Sequence, residues 1–271
     1  PEEMPQKPKG RLLIYWGWWH VSRNGPVVLE GSPSVGRGRT IDARDEKLAL
    51  QQQLMAARQS DPMGALKLGA RQVVERVRGA LSKEPGPAAE TLLATLGALA
   101  GYAAQASVRM VRVKAGGQTE AAVFDIRVLD HQRYFFCDEV DQFLKGDLDS
   151  LRIRLEQAAK SLGLKAVPDI GEILRHAGES AGDPGFGVLR VPDGHRPARR
   201  LWYLLDRFWQ PMFADLRTYC RNPGEWPLLY FYAIEEALYL MRGAVDPTLA
   251  MTLVLESAAS MARVDLNPQA A

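Results

Sequence analysis

The chain has 271 residues, of which 46% are hydrophobic and 24% charged, which is the composition of a globular protein with a sizeable core. Its 34 lysines and arginines nearly balance its 32 aspartates and glutamates, so overall charge gives no reason to expect nucleic acid or a membrane surface as a partner. Two cysteines, Cys137 and Cys220, exclude a framework of several disulfides and predict a reducing, cytoplasmic setting.

Residues 1–40 are predicted to form an extended N-terminal arm and loop. The stretch from Leu12 to Trp19 is apolar and aromatic, and its eight residues are too few to span a bilayer. Tryptophans also suit a membrane surface, but so short a segment shows no separate polar and apolar faces, which disfavours that alternative. We predict that the arm docks on its own chain or on a second subunit. The expected interface residues are Leu13, Tyr15, Trp16, Trp18 and Trp19.

The loop GSPSVGRG, from Gly31 to Gly38, has glycines at the spacing of a phosphate-binding loop. That motif requires G-x-x-x-x-G-K-[ST], in which the lysine contacts phosphate and the hydroxyl binds magnesium. Arg37 and Gly38 occupy those two positions here, and Pro33 removes a backbone N–H that the loop would supply. We therefore predict a connector without nucleotide, and we expect no cofactor.

Residues 41–177 are predicted to form an α+β part, in which helices come before and after a three-stranded antiparallel meander along the chain. Three helices begin near Asp42, Pro62 and Pro87, and the third is apolar on nearly every side, which predicts burial all round. From Ser107 the hydrophobic period changes to two, which predicts the first strand. Turns near residues 116–117 and 130–132 would separate the three strands.

Helical patterns continue after the predicted sheet. A short helix is expected from Asp138 and a longer one from Leu151 to Leu162, before a Gly/Pro-rich loop at residues 178–198. Residues 199–271 are helical, and Pro227 and Pro247 begin two helices that are apolar almost all round. Such helices form the centre of a bundle or an oligomer interface. The predicted fold class is thus α+β, mainly helical, with a C-terminal helical bundle that packs with residues 41–177 as one unit.

The helix after Pro227 carries a narrow polar wedge. Paired acids beside tyrosine hydroxyls can form a general acid/base site or orient a ligand, and they make this wedge the candidate ligand-binding site. The alternative is that the wedge marks the side where a buried helix meets water, with Glu235 paired to Arg242. The candidate residues are Tyr232, Glu235, Glu236, Tyr239 and Arg242.

Other constellations predict no metal site and no catalytic residue. Glu172 and His176 stand one helical turn apart, but two ligands do not complete a metal site. Cys137 lies near a helix start with His131 close in sequence, yet a small buried thiol is the commoner role. Three arginines before the C-terminal helices are more typical of a solvated face than of a phosphate site. They are Arg196, Arg199 and Arg200.

Two stretches carry a resemblance to known sequences. At YFFCDEVDQFL, and at EWPLLYFYAIEEAL together with VDPTLAMTLVLESAASMARVDL, the chain resembles a bacterial family of uncharacterised proteins. The resemblance covers about residues 97–271. It implies a bacterial, cytoplasmic setting and brings no catalytic residues.

The sequence leaves two classes of function open. The first is a non-catalytic protein-interaction or scaffold protein that self-associates into a homo-oligomer through residues 12–19 or the C-terminal helices. The alternative is a small-molecule-binding protein or an enzyme, with an acidic and tyrosine-lined pocket between the sheet and the C-terminal helices. That pocket would use Glu235, Glu236 and Tyr239.

Overall fold

The structure, a computed structural model, describes residues 43–83, 86 and 88–266, so the predicted N-terminal arm and loop lie outside the described residues. The described part is mainly helical, with one two-stranded antiparallel hairpin. Its α-helices are α1 Ala43–Ser60, α2 Gly64–Leu81, α3 Ala88–Val108, α4 Glu120–Val123, α5 Asp138–Lys145, α6 Leu151–Leu162, α7 Ile170–Glu179, α8 Leu201–Tyr219, α9 Trp226–Leu240 and α10 Pro247–Met261. The strands are β1 Asp125–Leu129 and β2 Gln132–Phe136.

Helix α3 lies at the centre of the core, buried on nearly all sides as its composition predicts. It packs against α10 along a stripe of small residues. A Cβ atom on Gly97 or Gly101 would overlap the backbone of α10, at Val254 and Ala258 respectively. The two glycines therefore allow the helices to approach backbone to backbone.

One helix of the described residues is long and apolar enough to cross a membrane by length and composition. It is α3 with its continuation to Ala115, and 94% of its most apolar window is buried inside the protein. Such burial is what the core helix of a globular protein shows.

The predicted first strand of the meander is wrong. Helix α3 runs through Val108 and continues as a π-helix over Arg109–Ala115, until Gly117 adopts a positive φ of 70°. The alternation of apolar residues and arginines resembles a strand in isolation. Elongation of an existing helix costs little free energy, however, because the unfavourable nucleation step has already taken place in α3.

A segment that follows α10 pairs with β2, on the edge of the hairpin opposite to the one that the predicted first strand would have occupied. The backbone N–H of Phe135 in β2 donates to the carbonyl of Arg263 at 2.8 Å, and Tyr134 forms an antiparallel bridge with Val264. The hairpin is thereby joined to the end of α10.

The hairpin turn has an unusual composition. Asp130 and His131 both have left-handed backbone conformations, with φ of 47° and 59°. This geometry matches a two-residue turn of type I′, in which Asn-Gly is the preferred pair.

The other helices largely follow the sequence patterns. Helix α6 has the predicted bounds, and the hydroxyl of Ser150 caps it by accepting the N–H of Ile153. Helix α2 begins at Gly64, two residues after the predicted Pro62, because Asp61 Oδ1 accepts the N–H of Met63 in a turn before the helix. Pro87 is not among the described residues.

The described residues from Ala43 onward form one compact unit. Helix α10 packs on α3, while α9 packs on α2 and α3. Most of the apolar surface of α9 and α10 is therefore buried within the subunit, while Tyr239 and Leu240 at the end of α9 are exposed.

Candidate functional site

A cleft of about 350 Å³ lies where the hairpin, α5 and the segment after α10 meet. Its wall combines three carboxylates, one guanidinium, one thiol and two apolar side chains. The lining residues are Val123, Asp125, Phe136, Cys137, Asp138, Asp141 and Arg263.

Chain connectivity brings most of these residues together. Asp125 at the start of β1 pairs in register with Phe136 at the end of β2. Strand β2 then runs into α5 through Cys137, which has an extended backbone and precedes the first turn of the helix. Asp138 and Asp141 belong to that turn, where the positive end of the helix dipole favours carboxylates.

Arg263, which follows α10, forms the wall of the cleft on the side of the C-terminal segment. Its Nη2 donates to Asp141 Oδ1 at 2.6 Å, a charge-assisted hydrogen bond, and its side chain is only 4% exposed. The guanidinium also lies over the ring of Phe136, 5.2 Å from the centroid. Its Nε has no hydrogen-bond partner within the described part of the chain.

The other two carboxylates differ in their partners. Asp125 accepts a hydrogen bond from Arg127 Nη2 at 2.8 Å, and this guanidinium lies 4.2 Å from the centre of the Phe136 ring. The carboxylate of Asp138 makes no ion pair or hydrogen bond with any described residue. The lining therefore has an excess of negative charge, with Asp138 as its unpaired group.

The two cysteines have different surroundings. Cys137 is half-buried and lines the cleft, whereas Cys220 is buried after α8. Burial raises the pKa of the Cys220 thiol to about 12. Cys137 is therefore the thiol that a reagent in solution reaches.

No group of three or more His, Cys, Asp or Glu side chains in the described residues could hold a metal ion. Glu172, predicted as half of a helical pair with His176, instead accepts two hydrogen bonds from Arg190, at 2.8 and 2.9 Å. That guanidinium lowers the pKa of the Glu172 carboxyl. Arg190 also donates to the buried Glu256 from its Nε, at 2.7 Å, and so clamps the segment after α7 onto α10.

His176 lines a second, much smaller cavity of about 10 Å³ beside this clamp. Ser180, Glu256 and Ser260 are also in its wall. That volume suits a single water molecule, which makes the cavity part of the packing and not a ligand pocket.

The predicted polar wedge on α9 lies away from both of these cavities. Tyr232 is buried, and its hydroxyl accepts a hydrogen bond from Arg154 Nη2 in α6 at 2.9 Å. Burial raises the pKa of that hydroxyl. The Oε1 atom of Glu236 lies 3.9 Å from the Nε atom of Arg71 in α2. The wedge thus contacts α2 and α6, and none of its residues lines either cavity.

The end of the wedge faces solvent. Tyr239 and Arg242 are exposed, and Glu235 is half-buried. The alternative pairing of Glu235 with Arg242 does not occur among the ion pairs of the described residues. The structure places Tyr232 and Glu236 against neighbouring helices and leaves the other three at the surface.

The other candidate residues that the structure describes lie apart from the cleft, and Arg200 is exposed before α8. His131 sits in the hairpin turn and Cys137 beyond the far end of β2, and a strand of this length separates them by roughly 15–20 Å. Arg196 pairs with Asp193 at 2.7 Å, and Arg199 lies over the ring of Tyr203. The five interface residues of the N-terminal arm are outside the described residues.

Sequence reasoning missed the acidic residues of the cleft, although a signal was present. Asp138 and Asp141 follow an aromatic strand at the start of a helix, which places them at one end of the hairpin. No local signal marks Arg263, because its contact with Asp141 joins residues 122 positions apart.

The chain matches no protein-family model, no curated protein and no solved structure. The resemblance of residues 97–271 to a bacterial family stays a prediction. Function must therefore be argued from the cleft itself.

Proposed function

We propose that the protein binds a small polar molecule in the cleft between the hairpin and the C-terminal segment. The supporting observation is the cleft of about 350 Å³ that contains the Arg263–Asp141 pair. This volume falls at the lower end of the range for small-molecule sites. The lining of the cleft includes none of Glu235, Glu236 and Tyr239, the residues expected from the sequence to line a pocket.

Binding fits the chemistry of the lining better than catalysis. A thiol nucleophile needs a nearby base or a positive environment to become a thiolate. Cys137 has carboxylates around it, and no histidine is among the residues that line the cleft. The arrangement offers charges and hydrogen-bond acceptors for recognition and no nucleophile–base pair.

Thermal-shift screening with small polar molecules, combined with chemical blocking, tests this proposal. N-ethylmaleimide at neutral pH should modify Cys137 and spare the buried Cys220, thereby filling the cleft. Compounds that raise the Tm of the untreated protein should lose their effect on the blocked protein. They should keep it on maleimide-treated Cys137→Ala protein, which has no thiol in the cleft. Stabilising compounds that act equally on blocked and unblocked protein, or a screen without any, would contradict the proposal.

Self-association is the second candidate function, and the exposed side of α1 favours it. Over residues 45–60, Leu54 is the only buried apolar side chain, while Leu48 and Met55 are 53% and 60% exposed. These two residues are seven positions apart and so share one side of the helix. In a two-fold symmetric pair of antiparallel α1 helices, Leu48 of each copy would oppose Met55 of the other.

Light scattering coupled to gel filtration tests this second candidate. Leu48→Gln together with Met55→Gln should convert a dimer to a monomer. Leu148→Gln, which changes an isolated apolar side chain that is 87% exposed, should leave the mass unchanged. A wild-type protein that stays monomeric at about 100 μM, far above the Kd of a micromolar dimer, would contradict self-association.

A further inference from the structure

We infer that strand β1 is a docking edge for a second copy of this chain, which pairs with it antiparallel so that Asp125 of each copy lies opposite Arg127 of the other. The contact joins two hairpins into one four-stranded sheet about a two-fold axis. It requires neither a ligand in the cleft nor the exposed side of α1. The free backbone groups of β1 and the order of its charges carry this assignment.

The outer edge of β1 is open. Strand β1 pairs on one side with β2, whereas no described strand pairs with its other side. The predicted first strand would have covered that side, but residues 109–115 are helical. Four of the five side chains of β1 are exposed, and Ile126 is half-buried. An uncovered strand edge is a template on which another chain can add a strand.

The register of the hairpin shows which backbone groups point outwards. Leu129 pairs with the residue that follows the two-residue turn, and such a pair exchanges hydrogen bonds. The alternation along β1 then directs the N–H and C=O groups of Ile126 and Val128 away from β2. The other edge of the hairpin agrees, since Phe135, opposite Ile126, donates its N–H outwards to Arg263. The outward groups of Ile126 and Val128 have no backbone partner among the described residues.

The charges of β1 select one register for a second copy. With these outward groups, two strands can pair antiparallel about Ile126, Arg127 or Val128. Pairing about Ile126 places Asp125 opposite Arg127 of the other copy, twice in each dimer. Pairing about Arg127 would oppose two guanidinium groups, and pairing about Val128 would place Arg127 opposite Leu129. Directly opposed charges stabilise a strand pair when their signs differ and destabilise it when they are alike, which favours the register about Ile126.

The existing contacts of these side chains are compatible with that register. Asp125 accepts a hydrogen bond from Arg127 of its own chain at 2.8 Å, and the two side chains are 60% and 51% exposed. A carboxylate and a guanidinium can each bind several partners. The second copy adds the same two groups in reverse order, so four charges alternate on one face of the sheet. On the other face Ile126 meets its own copy, a pair of β-branched side chains.

A copy of the same strand is the occupant that this edge fits. The order acid, β-branched residue, base in Asp125–Arg127 is the order that an antiparallel partner must present to it. Five residues from each copy bury much less surface than the roughly 1,200 Å² of the smallest stable interfaces. We therefore expect a Kd of about 1 mM. Such a contact is largely absent at the concentrations of gel filtration and is best detected by cross-linking, which traps short-lived pairs.

Cysteine cross-linking at about 1 mM protein tests the contact. Cys137→Ala and Cys220→Ala first remove the native thiols. Ile126→Cys then places two thiols opposite each other, with Cβ atoms about 5 Å apart, and a mild oxidant should join them in a disulfide. Val128→Cys is the matched control on the same face. This side chain is 65% exposed, but its two copies lie roughly 14 Å apart in the paired strands, so it should cross-link at least about tenfold more slowly.

A charge exchange tests the register. In the Ile126→Cys protein, Arg127→Asp should slow cross-linking about tenfold, because it places acid opposite acid twice in each dimer. The further change Asp125→Arg restores opposite charges and should restore the rate. Asp206→Arg changes an exposed carboxylate on α8 and should leave the rate as it was. Added salt should slow cross-linking of the Ile126→Cys protein, since screening weakens exposed ion pairs.

Amide hydrogen exchange gives a readout that needs no substitution. In wild-type protein, the backbone amides of Ile126 and Val128 should exchange more slowly as the protein concentration rises from about 0.1 to 2 mM, because pairing occupies them.

The contrary results are distinct. Val128→Cys that cross-links as fast as Ile126→Cys, or a charge exchange that leaves the rate low, would overturn the register and with it the proposed pairing. If Ile126→Cys does not cross-link although N-ethylmaleimide modifies it, no second copy binds at this edge. If N-ethylmaleimide does not modify it either, and exchange of the two amides is slow at every concentration, residues of the same chain cover the edge, which equally overturns the inference.

Discussion

Arg263 and Asp141 are 122 residues apart in the sequence and are joined by a hydrogen bond between their side chains. The arginine follows α10, the aspartate lies in the first turn of α5, and their side chains meet at 2.6 Å in the wall of the cleft. The backbone of Arg263 is fixed in turn by the N–H of Phe135. The cleft wall is thus part of the hairpin, of α5 and of the C-terminal segment at once, and its shape depends on the packing of the core beneath it.

The contact between α3 and α10 should depend on Gly101. A Cβ atom there would overlap the carbonyl of Ala258, so Gly101→Ala must push the two helices apart. We expect the free energy of unfolding in urea to fall by about 1–3 kcal/mol. Gly79→Ala is the matched control, because a Cβ atom on Gly79 in α2 meets nothing within 4 Å. It should stabilise the protein by about 0.5–1 kcal/mol, and equal effects of the two changes would contradict this packing.

Two tyrosines of α9 should respond in opposite ways to loss of their hydroxyl groups. Tyr230 is fully buried, and its hydroxyl has no hydrogen-bond partner in the described residues. Tyr230→Phe should therefore leave the unfolding free energy within about 0.5 kcal/mol of wild type or raise it. Tyr232→Phe removes the hydrogen bond to Arg154 and should lower it by about 1–2 kcal/mol. A larger loss at Tyr230 than at Tyr232 would be the contrary result in denaturant titrations.

The hairpin turn should accept glycine with a gain in stability. His131 has a φ of 59°, a conformation that is unfavourable for residues with a Cβ atom. We expect His131→Gly to raise the unfolding free energy by about 0.5 kcal/mol. Gln132→Gly, one residue later in β2, should lower it because glycine weakens a strand. Calorimetry that shows His131→Gly to be the more damaging of the two would refute this view of the turn.

Stability should fall in alkaline solution, first through Cys220. Its pKa in the folded protein is about 12, against an ordinary value of 9.0. Above pH 9 the unfolded chain loses the thiol proton while the folded chain keeps it, so stability is full below pH 9 and declines as the pH rises towards 12. The slope from this one group is at most about 1.4 kcal/mol per pH unit.

Substitution of each cysteine separates this effect from other alkaline changes. Urea unfolding between pH 8 and 10 should show a shallower loss for Cys220→Ala than for Cys137→Ala. The pKa of Tyr102 is also raised to about 12 by burial, from an ordinary value of 10.0, so its contribution to the decline begins later. Identical slopes for the two cysteine variants would show that Cys220 is not responsible.

Local patterns in the sequence sufficed for some elements and failed for others. Helix α6 could be bounded because Ser150 and Gly163 mark its two ends. The all-round burial of α3 could be inferred from its composition. Residues 109–115 could not be assigned correctly, because their alternating apolar and charged residues resemble a strand. Their helical conformation depends on α3, which they continue.

The lining of the cleft could not be predicted from local sequence patterns. The polar wedge on α9, which the sequence singles out, contacts α2 and α6 through Glu236 and Tyr232. Tyr232 and Glu236 were predicted to bind a ligand because they are polar residues on an otherwise apolar helix. Their partners Arg154 and Arg71 are distant in sequence, as is the Arg263 that completes the cleft, and no pattern within one helix shows such contacts.

The rate at which iodoacetamide alkylates Cys137 tests the central claim most directly, because this thiol lines the cleft while Cys220 is too deeply buried to react. In native protein, one thiol should react, and a compound that raises the Tm in the thermal-shift screen should slow that reaction in proportion to its occupancy of the cleft. A rate that stays constant at every concentration of every such compound, with Cys220 still unreactive, would contradict the account.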